Sequence, residues 1–232
     1  MLSKEEFNQT MSQAPVEKSI RLIVERDHAE IIIHTPREKV NKLTRGAFEE
    51  LYQHISFLKS KASEIKTLLI YSDKPDMFLA GADINEIQAM KDKSEALNLV
   101  EKAQEVFQAL AELPQVKLAA VDGPCMGGGC EMILACDYRL VSDSASTKIG
   151  LPEVQIGVLP GAGGTQRLPR VVGLQQSLTM ITSGQPVDAK KALKIGLVHD
   201  VIPKERLLET ARKVLKDKLY TCLLYTSPSP RD

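Results

Sequence analysis

The sequence predicts an α/β fold built on a parallel sheet covered on both faces. Two observations carry this. Short runs such as Thr67-Leu68-Leu69-Ile70-Tyr71 and Lys117-Leu118-Ala119-Ala120-Val121 have strand length and almost no polar positions. Between them lie longer stretches whose apolar residues recur every three or four positions, the pattern of helices with one buried face. No internal repeat interrupts this alternation.

Residues 1–19 are polar and aperiodic, with a second possible start at Met11, and read as a flexible leader. They hold three Glu and no Arg, the wrong chemistry for a mitochondrial presequence. Residues 20–24 and 29–34 are β-branched runs around Glu25-Arg26-Asp27-His28, a link of hairpin length. Leu43, Ala47, Phe48, Leu51, Ile55 and Leu58 then mark the buried face of a helix, which leads into the Thr67–Tyr71 strand. A second helix is predicted over 94–113, with Val100, Ala103, Val106, Phe107 and Leu110 inward and Pro114 as its stop, followed by the strand at 117–121. A helix entered through glycines (127–136), a strand (138–141) and helices at 174–183 and 188–195 follow; Asp188 caps the last and Gly196 closes it. A final strand is expected over 197–202, and Pro203 opens a helix through Arg206, Leu207, Ala211 and Val214. From Leu219 the helical periodicity stops, and residues 219–232 read as a non-native tail joined to an interrupted gene; the credible domain is 20–218.

Composition narrows the functional classes. Of 232 residues, 43% are hydrophobic and 26% charged, and 30 basic side chains balance 30 acidic ones. A neutral chain with no block of like charge lacks the field that draws proteins to nucleic acid or anionic lipid. With no Trp and only 4% aromatics, stacking platforms for single strands are disfavoured. No apolar run approaches the ~20 residues needed to span a bilayer, and four Cys without a signal peptide fit reduced thiols, so the expected setting is the cytoplasm. A small-molecule site is what remains.

Two glycine-rich segments stand out, Gly127-Gly128-Gly129-Cys130-Glu131 and Gly161-Ala162-Gly163-Gly164. A dinucleotide fingerprint needs glycine where Met132 or Gln166 stands, and no Gly-Lys-Ser/Thr phosphate loop exists. Three glycines before a helix offer either a tight turn or outward N–H groups for an anion or oxyanion. Residues 78–84 leave a strand region through small residues and could expose another N–H, with Asp83 equally at home as a plain helix cap. Glu131 and Glu153 are lone acids in apolar surroundings, as a proton holder and a proton taker would be. Glu131 could equally complement a helix dipole and Glu153 be a surface acid, since spacing alone does not bring them together. Cys125, Cys130 and Cys136 have no His nearby and read as buried thiols; no metal site is expected. Serine-nucleophile chemistry lacks its G-x-S-x-G turn.

In order and spacing, Ala80-Gly81-Ala82-Asp83-Ile84, the run from Ala119 to Glu131, Gly150-Leu151-Pro152-Glu153-Val154 and the run from Leu159 to Pro169 resemble the enoyl-CoA hydratase/isomerase (crotonase) family. The pieces at 32–43, 81–85 and 165–169 look most like the hydratase half of the multifunctional fatty-acid oxidation alpha subunits. The resemblance implies a spiral of β-β-α units, here with an incomplete C-terminal helical region, and an acyl-CoA thioester substrate. It implies hydration of a 2-trans-enoyl-CoA, with some isomerase activity, and no cofactor beyond the CoA carried by the substrate. By position, Ala82 and Gly128 N–H groups would form the oxyanion hole, while Glu131 activates water and Glu153 exchanges the α-carbon proton. Lys42, Gly81, Asp83, Gly127, Pro152 and Gly161 fall among expected substrate contacts. A homo-oligomer or a thiolase-containing complex is the expected assembly. The alternative is a non-catalytic acyl-CoA-binding or assembly fragment.

Overall fold

A computed structural model describes residues 17–90 and 92–225, with side chains described through Asp217. In chain order the elements are β1 (Ile20–Glu25), β2 (His28–Ile33), α1 (Arg45–Ser60), β3 (Thr67–Ser72), α2 (Ile84–Gln88), α3 (Lys93–Ala111), β4 (Val116–Val121), β5 (Pro124–Met126) and α4 (Gly128–Leu134). There follow β6 (Tyr138–Ser142), β7 (Lys148–Gly150), a 3-10 turn (Pro152–Ile156), α5 (Gly164–Val172), α6 (Leu174–Ser183), β8 (Val187–Asp188), α7 (Ala189–Lys194), β9 (Asp200–Ile202), a 3-10 turn (Lys204–Arg206) and α8 (Leu207–Tyr225).

The main sheet has the order β1-β2-β3-β4-β6-β9. β1 and β2 form the antiparallel hairpin, closing at Glu25↔His28, and every later neighbour is parallel. Alternation along the strands explains their continuous apolarity. Ile31, Ile33, Leu68, Ile70, Ala119 and Val121 face the larger core with α1, α3 and α4, whereas Ile32, Leu69, Tyr71, Leu118 and Ala120 face a second core. That second face is covered by α8 through Leu207, Ala211 and Leu215. The α8 packing is reinforced by Arg212, which donates to both Glu30 oxygens at 2.7 and 3.1 Å.

The helix predictions hold where periodicity is strong. Ala47, Phe48, Leu51, Ile55 and Leu58 are the buried residues of α1, which Thr44 caps by accepting from Ala47 N–H at 3.1 Å. Asp188 caps α7. Val100 departs from expectation: it is exposed on α3, lying beside the Gly161 loop instead of in the core. The last strand begins at Asp200, not 197, because Leu197 and His199 exchange hydrogen bonds with Arg139 before the ladder starts. Beyond Leu219 the α8 backbone stays helical through Tyr225 although apolar periodicity has stopped. Residues 1–16 of the predicted leader and 226–232 of the predicted tail lie outside the described residues.

A small second sheet, β5-β7-β8, was not predicted. It sets the site. β5 pairs parallel with β7 (Met126↔Gly150), and single bridges join Leu79 to Cys125 and Leu43 to Ala82. Four chain segments therefore converge: those around residue 43, 79–83, 124–128 and 150–153.

Candidate active site

Gly81 has φ +102°, and a Cβ there would press the Met126 carbonyl at 3.1 Å. Glycine thus permits the 79–82 segment to lie directly against β5 and the start of α4. The Leu43 bridge uses Gly81 O and Asp83 N–H, so Ala82 N–H is left over. Gly128 N–H is also left over, as the first donor of a helix. Among the described residues neither group has an acceptor. They are neighbours: a Cβ on Gly128 would lie 3.8 Å from Ala82 N, and one on Gly81 would lie 3.5 Å from Gly128 N. Two adjacent, unclaimed N–H groups at a helix start can together receive one negatively charged oxygen.

Asn41 braces this arrangement and was not nominated from sequence. Fully buried, it donates to Phe78 O at 2.9 Å and Ser72 Oγ at 2.8 Å and accepts from Thr35 N–H at 2.8 Å. Its main-chain carbonyl accepts from Ala80 N–H at 2.9 Å, tying the 35–43 loop to the 79–82 segment. An isolated Asn in a polar loop gives no periodic signal, so only the fold exposes it.

Glu131, on the first turn of α4, is 3% exposed. Its Oε1 accepts from Ala162 and Gly164 N–H groups, both at 2.8 Å. Burial raises its pKa, while those two N–H groups and the Arg167 charge oppose the rise. Glu153 sits in the 3-10 turn opened by Pro152, and its Oε1 reaches within 3.1 Å of where a Gly127 Cβ would stand. Its Oε2 is buried with no protein partner among the described residues. Burial, reinforced by the Glu131 charge, pushes Glu153 up to about 7. The two acids therefore lie along the same glycine-lined wall in unequal environments. Glu131 has two N–H groups stabilising its anion; Glu153 has a bare buried oxygen that favours holding a proton.

The remaining sequence candidates hold the frame. Asp83 caps α2 through Asn85 N–H, and Lys42 Nζ lies 3.2 Å from Glu38 and 3.8 Å from Asp83. Gly161 O accepts from Gln104 Nε2 at 2.7 Å, and Gly127 N–H donates to Gly150 O at 2.9 Å. Cys125, Cys130 and Cys136 are free, buried thiols, with burial pushing Cys136 up to about 12. Among the described residues no helix is long and apolar enough to cross a membrane.

Residues 5–221 match the enoyl-CoA hydratase/isomerase family. The chain belongs to that family. Among its relatives in the enoyl-CoA hydratase/isomerase family, the fatty acid oxidation complex subunit alpha of Vibrio cholerae is 45% identical over 194 residues, covering 84% of this chain and 27% of that protein. That of Aliivibrio fischeri is 49% identical over 173 residues, covering 75% and 25%. The chain thus spans about a quarter of the length of these relatives. Among solved structures, an enoyl-CoA hydratase from Geobacillus kaustophilus superimposes with a TM-score of 0.82 at 35% identity, covering 88% of this chain and 75% of that one. Pseudomonas aeruginosa DspI gives 0.81 at 33% identity, with 90% and 78% coverage. The crotonase fold expected from the sequence is the fold found.

Proposed function

We propose that this chain hydrates 2-trans-enoyl-CoA thioesters to 3-hydroxyacyl-CoA in fatty-acid β-oxidation, with Δ3-Δ2-enoyl-CoA isomerase activity as a secondary capacity. The observation that supports it best is the pair of unequal acids beside two unclaimed N–H groups. The thioester carbonyl would accept from Ala82 and Gly128 N–H, which stabilise the charge that develops on its oxygen. Anionic Glu131 takes a proton from water as the water oxygen bonds the β-carbon. Neutral Glu153 gives its proton to the α-carbon as the enolate collapses. One acid gains a proton and the other loses one, so the reaction balances within the site.

Adding water needs both acids, whereas shifting a double bond needs one group to lift and return a proton. The test follows from that difference. Loss of the conjugated thioester absorbance is measured for wild type, Glu131→Gln and Glu153→Gln, alongside isomerisation of a 3-enoyl-CoA. Glu131→Gln is expected to abolish hydration while 3-enoyl-CoA still turns over on Glu153. Full hydration by either variant sinks the two-acid mechanism, and tight acyl-CoA binding without turnover by wild type favours a binding module. Lys42 is a candidate contact for the CoA portion. Assembly with further copies or with a thiolase belongs to this same proposal, by analogy with the complexes named among the relatives.

A further inference from the structure

The loop that holds Glu131 is itself held. Gln104 and Gln108, one turn apart on α3, reach it from one side: Gln104 donates to Gly161 O at 2.7 Å, and Gln108 Oε1 accepts from Arg167 Nη2 at 3.0 Å. Arg167 Nη1 donates to Ala162 O at 3.0 Å, the peptide next to the N–H groups that grip Glu131 Oε1. Gly163, at φ +108°, is required here twice over, since a Cβ on it would collide with the Arg167 guanidinium. Arg167 is half-buried, and among the described residues no carboxylate lies within ion-pair distance of it. The acid on which its charge acts is Glu131.

We propose that Arg167 is a positioning residue for the hydration chemistry, fixing to α3 the 161–164 loop whose Ala162 and Gly164 N–H groups hold Glu131 Oε1. This rests on the hydratase reading above. The groups acting on Glu131 are few. α5 contributes Arg167, the 3-10 turn contributes Glu153, α4 itself contributes the buried Cys130 thiol, and α3 presents the amides of Gln104 and Gln108, the latter also donating to the Glu112 carboxylate at 2.8 Å. Removing the one cation leaves desolvation, which favours protonated Glu131, opposed only by the Ala162 and Gly164 N–H groups whose loop Arg167 fixes.

The experiment compares wild type with Arg167→Met, Arg167→Lys and Gln108→Leu, reading steady-state kinetics across pH and the Glu131 carboxyl titration by carbon NMR without substrate. Arg167→Met is expected to lower kcat by about 10–100-fold, less than loss of a direct oxyanion donor, with KM little changed. Its acidic limb and its Glu131 titration both move to higher pH. Arg167→Lys keeps the charge and returns the limb toward wild type, but does not restore kcat, because one ammonium cannot span Ala162 O and Gln108. Wild type that hydrates, with Arg167→Met changing neither limb nor titration, overturns the proposal. Wild type that does not hydrate, while the titration still moves, removes the hydratase reading and leaves the positioning role standing. Should Arg167→Met not fold, wild-type kcat in both Arg167→Lys and Gln108→Leu is the overturning result.

Discussion

Glu153→Gln should make the protein more stable while removing the proposed hydratase activity, and the stability gain should depend on pH. Glu153 has an ordinary value of 4.5 and is pushed up to about 7 by burial, so folding disfavours its anion. A carboxyl raised on folding contributes stability that is present below 4.5 and lost as pH rises through about 7. At ~1.4 kcal/mol per pH unit, the full penalty at pH 8.5 has an upper limit of about 3.5 kcal/mol. The side chain is only partly buried, and solvent screening reduces the expected value to about 1–2 kcal/mol. Glutamine carries no charge at any of these pH values, yet still places an unpartnered polar atom where Oε2 lies. The cost of that atom is common to Gln and to the protonated acid. Comparing the variants at pH 5 and at pH 8.5 therefore isolates the charge. Urea titrations should give similar midpoints at pH 5 and a midpoint higher by about 0.5 M for the variant at pH 8.5. Wild-type hydration should decline above pH ~7, as the acid that delivers the α-proton ionises. Equal wild-type and variant midpoints at pH 8.5 would refute the assignment of Glu153 as the buried proton holder.

Two further substitutions probe the frame. Ala82→Pro deletes one unclaimed N–H without breaking a hydrogen bond within the protein, and should lower kcat by ~10²–10³ with the melting temperature little changed; a loss under about tenfold in a folded variant would exclude Ala82 as an oxyanion donor. Arg212→Met strands Glu30 beneath α8 and should cost about 1–3 kcal/mol in urea titrations, below the value for a fully buried pair because the guanidinium is half exposed. Burial raises Glu30, but Arg212, His28 and Tyr71 together hold it below 4.5, so this cost should shrink on acidification through and below that value, and a cost independent of pH would contradict the ion pair.

The legible parts of the sequence are those with a repeating signal. Residues 45–60 and 174–183 announce themselves through apolar spacing, and the strands at 67–72 and 116–121 through length and continuous apolarity. The second sheet has strands of two or three residues, too short to alternate, and its Cys125 and Ile149 are buried by partners distant in sequence. α5 was not predicted; it starts in glycines and carries Pro169, residue types that ordinarily interrupt helices. Glu131 and Glu153 were singled out as isolated acids, but their shared wall depends on β5 pairing with β7, a long-range contact no spacing rule encodes. Arg167 carries no signal of its own in the sequence. What distinguishes it, the Ala162 carbonyl and the absence of Cβ on Gly163, belongs to the tertiary structure.

The site uses one device twice, with opposite consequences. A pair of backbone N–H groups freed by glycines is aimed at a single oxygen in both cases. Among the described residues the Ala82 and Gly128 pair is unclaimed, and so open to the substrate oxygen that becomes charged in the proposed reaction. The Ala162 and Gly164 pair is already committed to Glu131 Oε1. Because N–H groups stabilise an anion wherever it sits, the committed pair, with Arg167 behind it, biases Glu131 toward the ionised state against its own burial. Among the described residues no corresponding donor reaches Glu153 Oε2, and burial there, which favours the protonated acid, outweighs the opposing bond from its own backbone N–H. The division of labour between two chemically identical side chains thus follows from where the glycines let the backbone approach. A substitution that adds a Cβ at Gly164, 3.0 Å from Glu131 Oε1, should disturb catalysis through the acid as much as through the fold.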